Sequence, residues 1–220
     1  MFVGHYSASL AAKAAEPRAP LWSYFIASQL LDVGWSAFVA VGIEKVRVDP
    51  QLPGSVFDLY YMPWTHSLLA AIAWSILGAL IFKWLLRLPN RAAVFIGLVV
   101  FSHWVLDLVV HRPDLLLYPG GPKVGLGLWN YPVLEEAFEM GLLAIAAVWW
   151  AATLVRGRRA EGRAVGLMAL MIAMQAFVIV HPPSGSQVMI GSMVLAAYII
   201  IAAAAWWTEH EPRRRSSAAS

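Results

Sequence analysis

The chain has 220 residues, of which 60% are hydrophobic and only 13% are charged, and its formal net charge is +3. Soluble domains carry about 45–50% apolar and about 25% charged residues, so this composition excludes a disordered chain and disfavours a soluble globule. Cys is absent, which excludes disulfides, Cys-ligated zinc and iron–sulfur clusters. The basic residues are not gathered in one region, and we therefore expect no nucleic-acid partner.

The predicted elements begin with residues 3–15, an apolar segment too short to cross a bilayer, which ends in a Pro-rich turn at 17–20. A bilayer-spanning helix needs about 20 apolar residues. Six later stretches meet this length or approach it, namely 21–43, 66–86, 91–111, 134–155, 164–180 and 187–207. The sequence therefore predicts an all-α, polytopic integral membrane helical bundle with about six transmembrane helices and a half-spanning N-terminal helix. We expect a single transmembrane domain over 1–220.

The distribution of Lys and Arg predicts the orientation of these helices, because basic residues are enriched in cytoplasmic loops. With the N-terminal flank inside, the cytoplasmic segments hold Lys13, Arg18, Lys83, Arg87, Arg91, Arg156, Arg158, Arg159, Arg163 and Arg213 to Arg215. The outer loops hold Lys45, Arg47, Arg112 and Lys123. We therefore expect both terminal flanks to be cytoplasmic, with the Arg-rich tail at 208–220 contacting lipid head groups.

Five ionisable residues fall within the first three predicted spans, where such groups are costly and usually functional. They are Asp32, His66, His103, Asp107 and His111. The last three are spaced i, i+4 and i+8 and share one helical stripe. A His and a carboxylate one turn apart form a common metal-ligand pair, and this donor set suits zinc or another first-row divalent ion. A single His that only bonds a neighbouring helix, or an Asp in a proton relay, is the simpler alternative.

His5 is predicted to lie at the same depth as two of these residues. His5 is 13 residues from Arg18, Asp32 is 14 residues from Arg18, and His103 is 12 residues from Arg91. At about 1.5 Å per helical residue, each lies roughly 20 Å from the inner surface. His66 lies nearer the outer surface and has to reach inwards.

Residues 112–133 form an unusual loop, rich in Gly and Pro but also in Leu, Tyr and Trp. We interpret it as a lid over the site, with Arg112, Lys123 and Asn130 placed to contact an anionic group; a re-entrant plug without substrate contact is the alternative. Glu135, Glu136 and Glu139 follow at a helix start, where acidic side chains favour the helix dipole. A carboxylate there acting as a general base is a second interpretation.

Four short motifs resemble the membrane-bound metal-dependent hydrolase family typified by a LexA-regulated inner-membrane protein of enteric bacteria. They are Gly4-His5, Leu30-Leu31-Asp32, Pro63-Trp64-Thr65-His66-Ser67-Leu68 and Ser102-His103-Trp104-Val105-Leu106-Asp107. The order matches, and the resemblance covers Met1 to about Pro132. The chain departs from the family at Gly34 and Trp35, where relatives often have Asp and His. It also has Tyr61-Met62-Pro63 where the family has His-Arg-Gly.

The resemblance implies a bacterial inner-membrane protein whose residues 1–133 carry a metal site, with 134–207 serving as scaffold helices. The candidate ligands are His5, Asp32, His66, His103 and Asp107. The expected activity is hydrolysis of an ester or phosphoester by metal-activated water on the exoplasmic side, plausibly on a membrane lipid or other amphipathic substrate. His111 or Asp114 would orient the water or protonate the leaving group, and Arg112 would hold an anionic head group.

Two other classes of function fit the same residues. A transporter would use the His/Asp cluster for proton or ion coupling. A non-catalytic membrane protein would use it for a structural metal.

Overall fold

The computed structural model of the protein describes residues 1–154 and 158–210. Within these ranges the chain forms eight α-helices: α1 (Tyr6–Ala15), α2 (Leu21–Ser28), α3 (Leu30–Ala40), α4 (Leu68–Leu86), α5 (Asn90–Val110), α6 (Pro132–Thr153), α7 (Arg158–Val180) and α8 (Gln187–Glu209). Two small antiparallel ribbons pair β1 (Lys45–Val48) with β2 (Phe57–Tyr61), and β3 (Leu115–Leu116) with β4 (Lys123–Val124). The predicted all-α class is confirmed.

Four of the described helices are long and apolar enough to cross a membrane: α4, α5, α8 and the Glu161–Val180 part of α7. Their outer faces carry exposed large apolar side chains, such as Leu80 and Trp84 on α4 and Ile199 on α8. Such surfaces are stable when lipid covers them, and they support a membrane protein. The count of six spans stays a prediction. Residues 155–157 and 211–220, which include Arg156 and the tail arginines Arg213 to Arg215, lie outside the described residues.

The first predicted span, 21–43, is divided into α2 and α3. Gln29 interrupts the helix with φ −109° and ψ 10°, and its Nε2 donates to the Phe2 carbonyl. Ser9 Oγ donates to the Tyr24 carbonyl further down the same pair of segments. The N-terminal segment therefore runs antiparallel to α2, as the depth argument expects, and the polar side chain of Gln29 marks the break.

In the second predicted span the helix begins at Leu68, two residues later than predicted, because Ser67 is its N-cap. The Ser67 side chain accepts from the Ala70 amide, as Ser commonly does at this position. His66 therefore precedes the helix on non-helical backbone. At the far end of α5, His111 is the C-cap residue, with φ −64° and ψ 148°. Both rings are thus carried on helix ends that adjoin loops.

The turn between α1 and α2 is tied to the start of α5 by the buried carboxylate of Glu16. Arg18 contributes two short contacts, Nε to Oε1 at 2.6 Å and Nη2 to Oε2 at 2.7 Å. Arg91 Nε lies 3.2 Å from Oε2. These hydrogen bonds from Arg18, with burial opposing them, lower the pKa of Glu16 from 4.5 to about 2.

We expect Glu16→Gln to lower the thermal stability of the detergent-solubilised protein at neutral pH. Because the folded-state pKa is lowered, the contribution of the carboxylate is complete above pH 4.5 and is lost as the pH falls towards about 2. Thermal denaturation at about pH 7 and about pH 3 measures this. A difference between native protein and variant that does not narrow at the lower pH contradicts the prediction.

Candidate metal centre

The carboxylate of Asp107 on α5 lies at the centre of a buried cluster and is 1% exposed. Its Oδ1 is 3.1 Å from His5 Nε2 and 3.4 Å from His111 Nε2. Its Oδ2 is 3.1 Å from His103 Nε2 and 3.6 Å from His66 Nε2. The two oxygens thus face different pairs of imidazole rings.

Asp32 provides a second carboxylate, close to the start of α3. Its Oδ1 lies 3.2 Å from His66 Nε2 and 3.6 Å from His103 Nε2. Its Oδ2 accepts a hydrogen bond from the hydroxyl of Tyr198 on α8. The structure therefore brings all five predicted ligands together, with His111 beside them.

Two groups of three within this cluster could hold a metal ion, because their ligand atoms lie within 4.8 Å of one another. One group is His5, His103 and Asp107, and the other is Asp32, His66 and His103.

Three of the imidazole rings are fixed by a hydrogen bond on the side facing away from the carboxylates. His103 Nδ1 lies 2.7 Å from the Ser28 carbonyl, which can only accept, so this nitrogen carries the proton. His111 Nδ1 lies 2.9 Å from Asp114 Oδ1. His66 Nδ1 lies 2.7 Å from Thr65 Oγ1. In its neutral form each ring then presents the lone pair of Nε2 to the centre, the arrangement that His ligands of metals adopt.

The hydrogen bonds of Thr65 and Glu44 show that Nδ1 of His66 carries a proton. Glu44 is fully buried and accepts from Thr65 Oγ1 at 2.6 Å and from the amides of Trp64 and Thr65. Because the Thr65 hydroxyl hydrogen is donated to Glu44, Thr65 Oγ1 must accept from His66 Nδ1. Glu44 and Thr65 therefore orient His66 without touching the centre.

The residues present fit a divalent metal ion. His5 Nε2, His103 Nε2 and Asp107 Oδ2 are buried without a hydrogen-bond partner among the described residues. When His103 is neutral, its Nε2 lone pair faces the Asp107 carboxylate at 3.1 Å, an arrangement that a cation between them stabilises. Imidazole and carboxylate donors without thiolate match the ligands of zinc and related ions.

Close packing explains why a glycine precedes His5. Glu139 Oε1 on α6 accepts from the amides of Phe2 and Gly4, both at 2.7 Å, and a Cβ on Gly4 would lie 2.8 Å from Glu139 Cγ. The side-chain-free residue allows this approach. His5 then stacks on His103, with ring centroids 3.8 Å apart. Glu139 therefore does more than stabilise the helix dipole, because it anchors the segment that carries His5.

The loop at 112–133 packs against the centre, as a lid would. The amide of Gly127 donates to the His111 carbonyl at 2.7 Å, and the ring centroids of Trp129 and His111 are 4.0 Å apart.

The polar residues predicted to contact an anion point elsewhere in this structure. Arg112 Nη2 donates to the carbonyls of Pro53 and Ser55, and Lys123 Nζ donates to the Tyr60 carbonyl. Asn130 is exposed. Arg112 therefore braces the neighbouring loop, and its contact with a bound head group stays a prediction.

A cavity of about 710 Å³ adjoins the centre. The cluster residues in its wall are Asp32, His66, Asp107 and His111, whereas apolar side chains of α7 and α8, including Phe177, Val178, Met193 and Val194, form the facing wall. Ligand sites are typically concave and mostly apolar with a few convergent polar groups.

Several residues that support the centre were not predicted from the sequence: Ser28, Glu44, Thr65, Gln175 and Tyr198. Gln175 had a usable signal, because it is the one polar side chain in the predicted span 164–180, and Tyr198 had a weaker one as one of a few polar side chains in 187–207; such groups usually bond to another helix. Thr65 could be noticed only as part of the motif that contains His66. Ser28 contacts His103 through its backbone carbonyl, which no pattern of side chains in the sequence predicts.

We expect Thr65→Val to weaken metal binding by about 10–100-fold, because it removes the acceptor that fixes the tautomer of His66. Competition with a chromophoric chelator on the purified protein measures the affinity. Thr208→Val on α8 makes the same substitution at a buried position whose hydroxyl, among the described residues, donates only to the Ala204 carbonyl. Equal affinities in the two variants would contradict the role of Thr65.

We also expect Tyr198→Phe to weaken metal binding, by about tenfold, because Asp32 Oδ2 loses its donor and the carboxylate is free to rotate. The same chelator competition applies. Unchanged affinity together with unchanged thermal stability would show that Tyr198 does not position Asp32.

No family model, curated protein or solved structure matches this chain.

Proposed function

We propose that the protein is a membrane-embedded, metal-dependent hydrolase that cleaves an ester or phosphoester of an amphipathic substrate. The observation that carries this proposal is the convergence of His Nε2 atoms on Asp107 and Asp32, with three of the rings held at Nδ1. This arrangement opens into a cavity large enough for a substrate. Preorganised ligands beside a ligand-sized cavity favour catalysis over a purely structural ion.

His5, Asp32, His66, His103 and Asp107 would hold the ion, and zinc suits their nitrogen and oxygen donors. When bound, a divalent metal supplies a Lewis acid and a water of lowered pKa. The protein fixes the ligand geometry through the Ser28 carbonyl and the Thr65–Glu44 pair.

His111 and Asp114 form the proton-handling pair of the proposal. Asp114 accepts from His111 Nδ1 at 2.9 Å, while the His111 ring lies in the cavity wall. A carboxylate that fixes one nitrogen leaves the other to accept a proton from water and return it to the leaving group. Trp129 covers the His111 ring and limits its access to bulk solvent.

The apolar wall formed by α7 and α8 supports an amphipathic substrate. Phe177 and Met193 line the cavity and are both exposed, so an apolar chain bound in the cavity can pack against them. Cytoplasmic terminal flanks and an exoplasmic-facing site complete the proposal on the basis of the Lys and Arg distribution, and a bacterial inner membrane is proposed from the resemblance of the four motifs.

Metal analysis of purified protein, beside a His103→Ala/Asp107→Ala variant, tests the proposal. We expect stoichiometric divalent metal in the native protein and its loss in the variant, because His103 and Asp107 contribute ligand atoms to the cluster. A screen of lipid phosphoesters and esters should show turnover that the variant lacks and that chelation abolishes.

His210→Ala is the matched control, since this imidazole is exposed at the end of α8 and should retain both metal and turnover. Native protein without metal under non-chelating conditions overturns the hydrolase proposal in favour of transport. Bound metal without turnover on any class of ester overturns it in favour of a structural ion.

A further inference from the structure

Three carboxylates meet at the start of α6, in the wall of the same cavity but outside the His/Asp cluster. They belong to Glu135, Glu136 and Glu139, and one oxygen from each lies within 4.8 Å of the others. Glu135 is 5% exposed and Glu139 is 1% exposed. Like charges held this close in a buried wall are unfavourable without a compensating positive charge.

Gln175 on α7 contacts these carboxylates through its amide nitrogen, whereas its amide oxygen is unpaired among the described residues. Its Nε2 donates to Glu136 Oε1 and Oε2 at 3.0 and 3.1 Å, and to Glu139 Oε2 at 3.2 Å. Its Oε1 is buried and has no hydrogen-bond partner among the described residues, and the residue is 5% exposed. An unpaired buried carbonyl oxygen calls for a hydrogen-bond donor, and the carboxylates beside it favour a donor that carries positive charge.

The roles of the three carboxylates differ. Glu139 Oε1 is used by the amides of Phe2 and Gly4, so Glu139 anchors the N-terminal segment. Glu135 and Glu136 make no such backbone contacts through their side chains among the described residues. Together with Gln175 Oε1, they are the acceptors that remain for a ligand in the cavity.

The described residues of the cavity wall supply no cationic side chain for these acceptors. The ionisable side chains there are those of Asp, Glu, His and Tyr198, and neither Lys nor Arg is present. The α-amine of Met1 is a positive group of this wall: it lies 4.0 Å from Asp107 Oδ1, and the amide of the next residue, Phe2, donates to Glu139 Oε1. One amine does not balance the five carboxylates of the wall, those of Asp32, Asp107, Glu135, Glu136 and Glu139, so a further cationic group is favoured beside Glu135 and Glu136 and an anionic group is disfavoured.

The remaining acceptors of this wall match the donors of an ammonium group. The three carboxylates also satisfy the spacing of a metal site, an occupant that the metal titration below distinguishes. An ammonium group has three N–H donors for the remaining lone pairs and for Gln175 Oε1.

We propose that Glu135, Glu136 and Gln175 form a subsite for the ammonium group of a zwitterionic amphiphile. This inference rests on the proposed function, and it narrows the substrate to a molecule with three parts. The ester or phosphoester lies at the His/Asp cluster, the ammonium lies at the α6–α7 subsite, and the apolar chain lies along α7 and α8.

Two lysophospholipids that share the acyl chain and the phosphate test the subsite directly. Lysophosphatidylethanolamine carries the ammonium and lysophosphatidylglycerol does not. Binding of each is measured by native mass spectrometry on chelator-treated, full-length protein in maltoside micelles. We expect native protein to bind the ethanolamine lipid at least about tenfold more tightly, since charge-assisted hydrogen bonds are the stronger ones.

The variant Glu135→Gln/Glu136→Gln should bind the two lipids equally, to within about twofold. Glu161→Gln removes an exposed carboxylate at the opposite end of α7 and should keep the native preference. Equal binding of the two lipids by native protein overturns the subsite, even if the double variant fails to fold. A preference that persists in a folded double variant overturns it as well.

Titration of zinc, magnesium or calcium alone onto the chelator-treated protein provides the second arm. A metal equivalent that disappears in Glu135→Gln/Glu136→Gln but survives in His103→Ala/Asp107→Ala assigns the carboxylates to a metal and overturns the ammonium subsite. Because lipid binding is measured without metal or turnover, a failure of the hydrolase proposal is recognised separately, by metal analysis and by the ester screen.

Discussion

The carboxylate of Asp107 must be compensated inside an apolar protein, and much of the surrounding structure follows from that requirement. It is 1% exposed, and imidazoles from the N-terminal turn, the start of α4 and the end of α5 surround it. Two irregularities of the helices position imidazole rings of this cluster. The break at Gln29 accompanies the Ser28 carbonyl that binds His103, and the Ser67 cap leaves His66 outside the helix. Buried polar networks of this kind are stable only when their members are satisfied.

The C-terminal helices contribute more than an apolar frame. Glu139 on α6 anchors the segment that carries His5, Gln175 on α7 binds Glu136 and Glu139, and Tyr198 on α8 binds Asp32. Residues 1–133 therefore contain the candidate ligands, whereas side chains from 134–207 form hydrogen bonds that hold some of them in place. Ligand orientation depends on partners beyond the ligand shell, and here those partners come from both halves of the chain.

Two further residues of α3 pack closely beside the same site. A Cβ on Gly34 would lie 3.1 Å from the Trp74 ring and 3.2 Å from Thr65 Cγ2, so a side chain at this position requires Trp74 or Thr65 to shift by a few tenths of an ångström. Trp35 is buried and lines the cavity. These two positions contribute close packing and an apolar wall to the site.

The sequence by itself determined the class of protein, the helix positions to within a few residues and the identity of the cluster. Composition and apolar run length carry that information, and a charged or imidazole side chain inside an apolar run is conspicuous. The tertiary structure alone decided the division of 21–43, the hydrogen bonds that fix Nδ1 of His66, His103 and His111, and the placement of Glu139, Gln175 and Tyr198. These depend on contacts between residues up to 166 positions apart, and no local pattern encodes which acceptor a distant helix will supply.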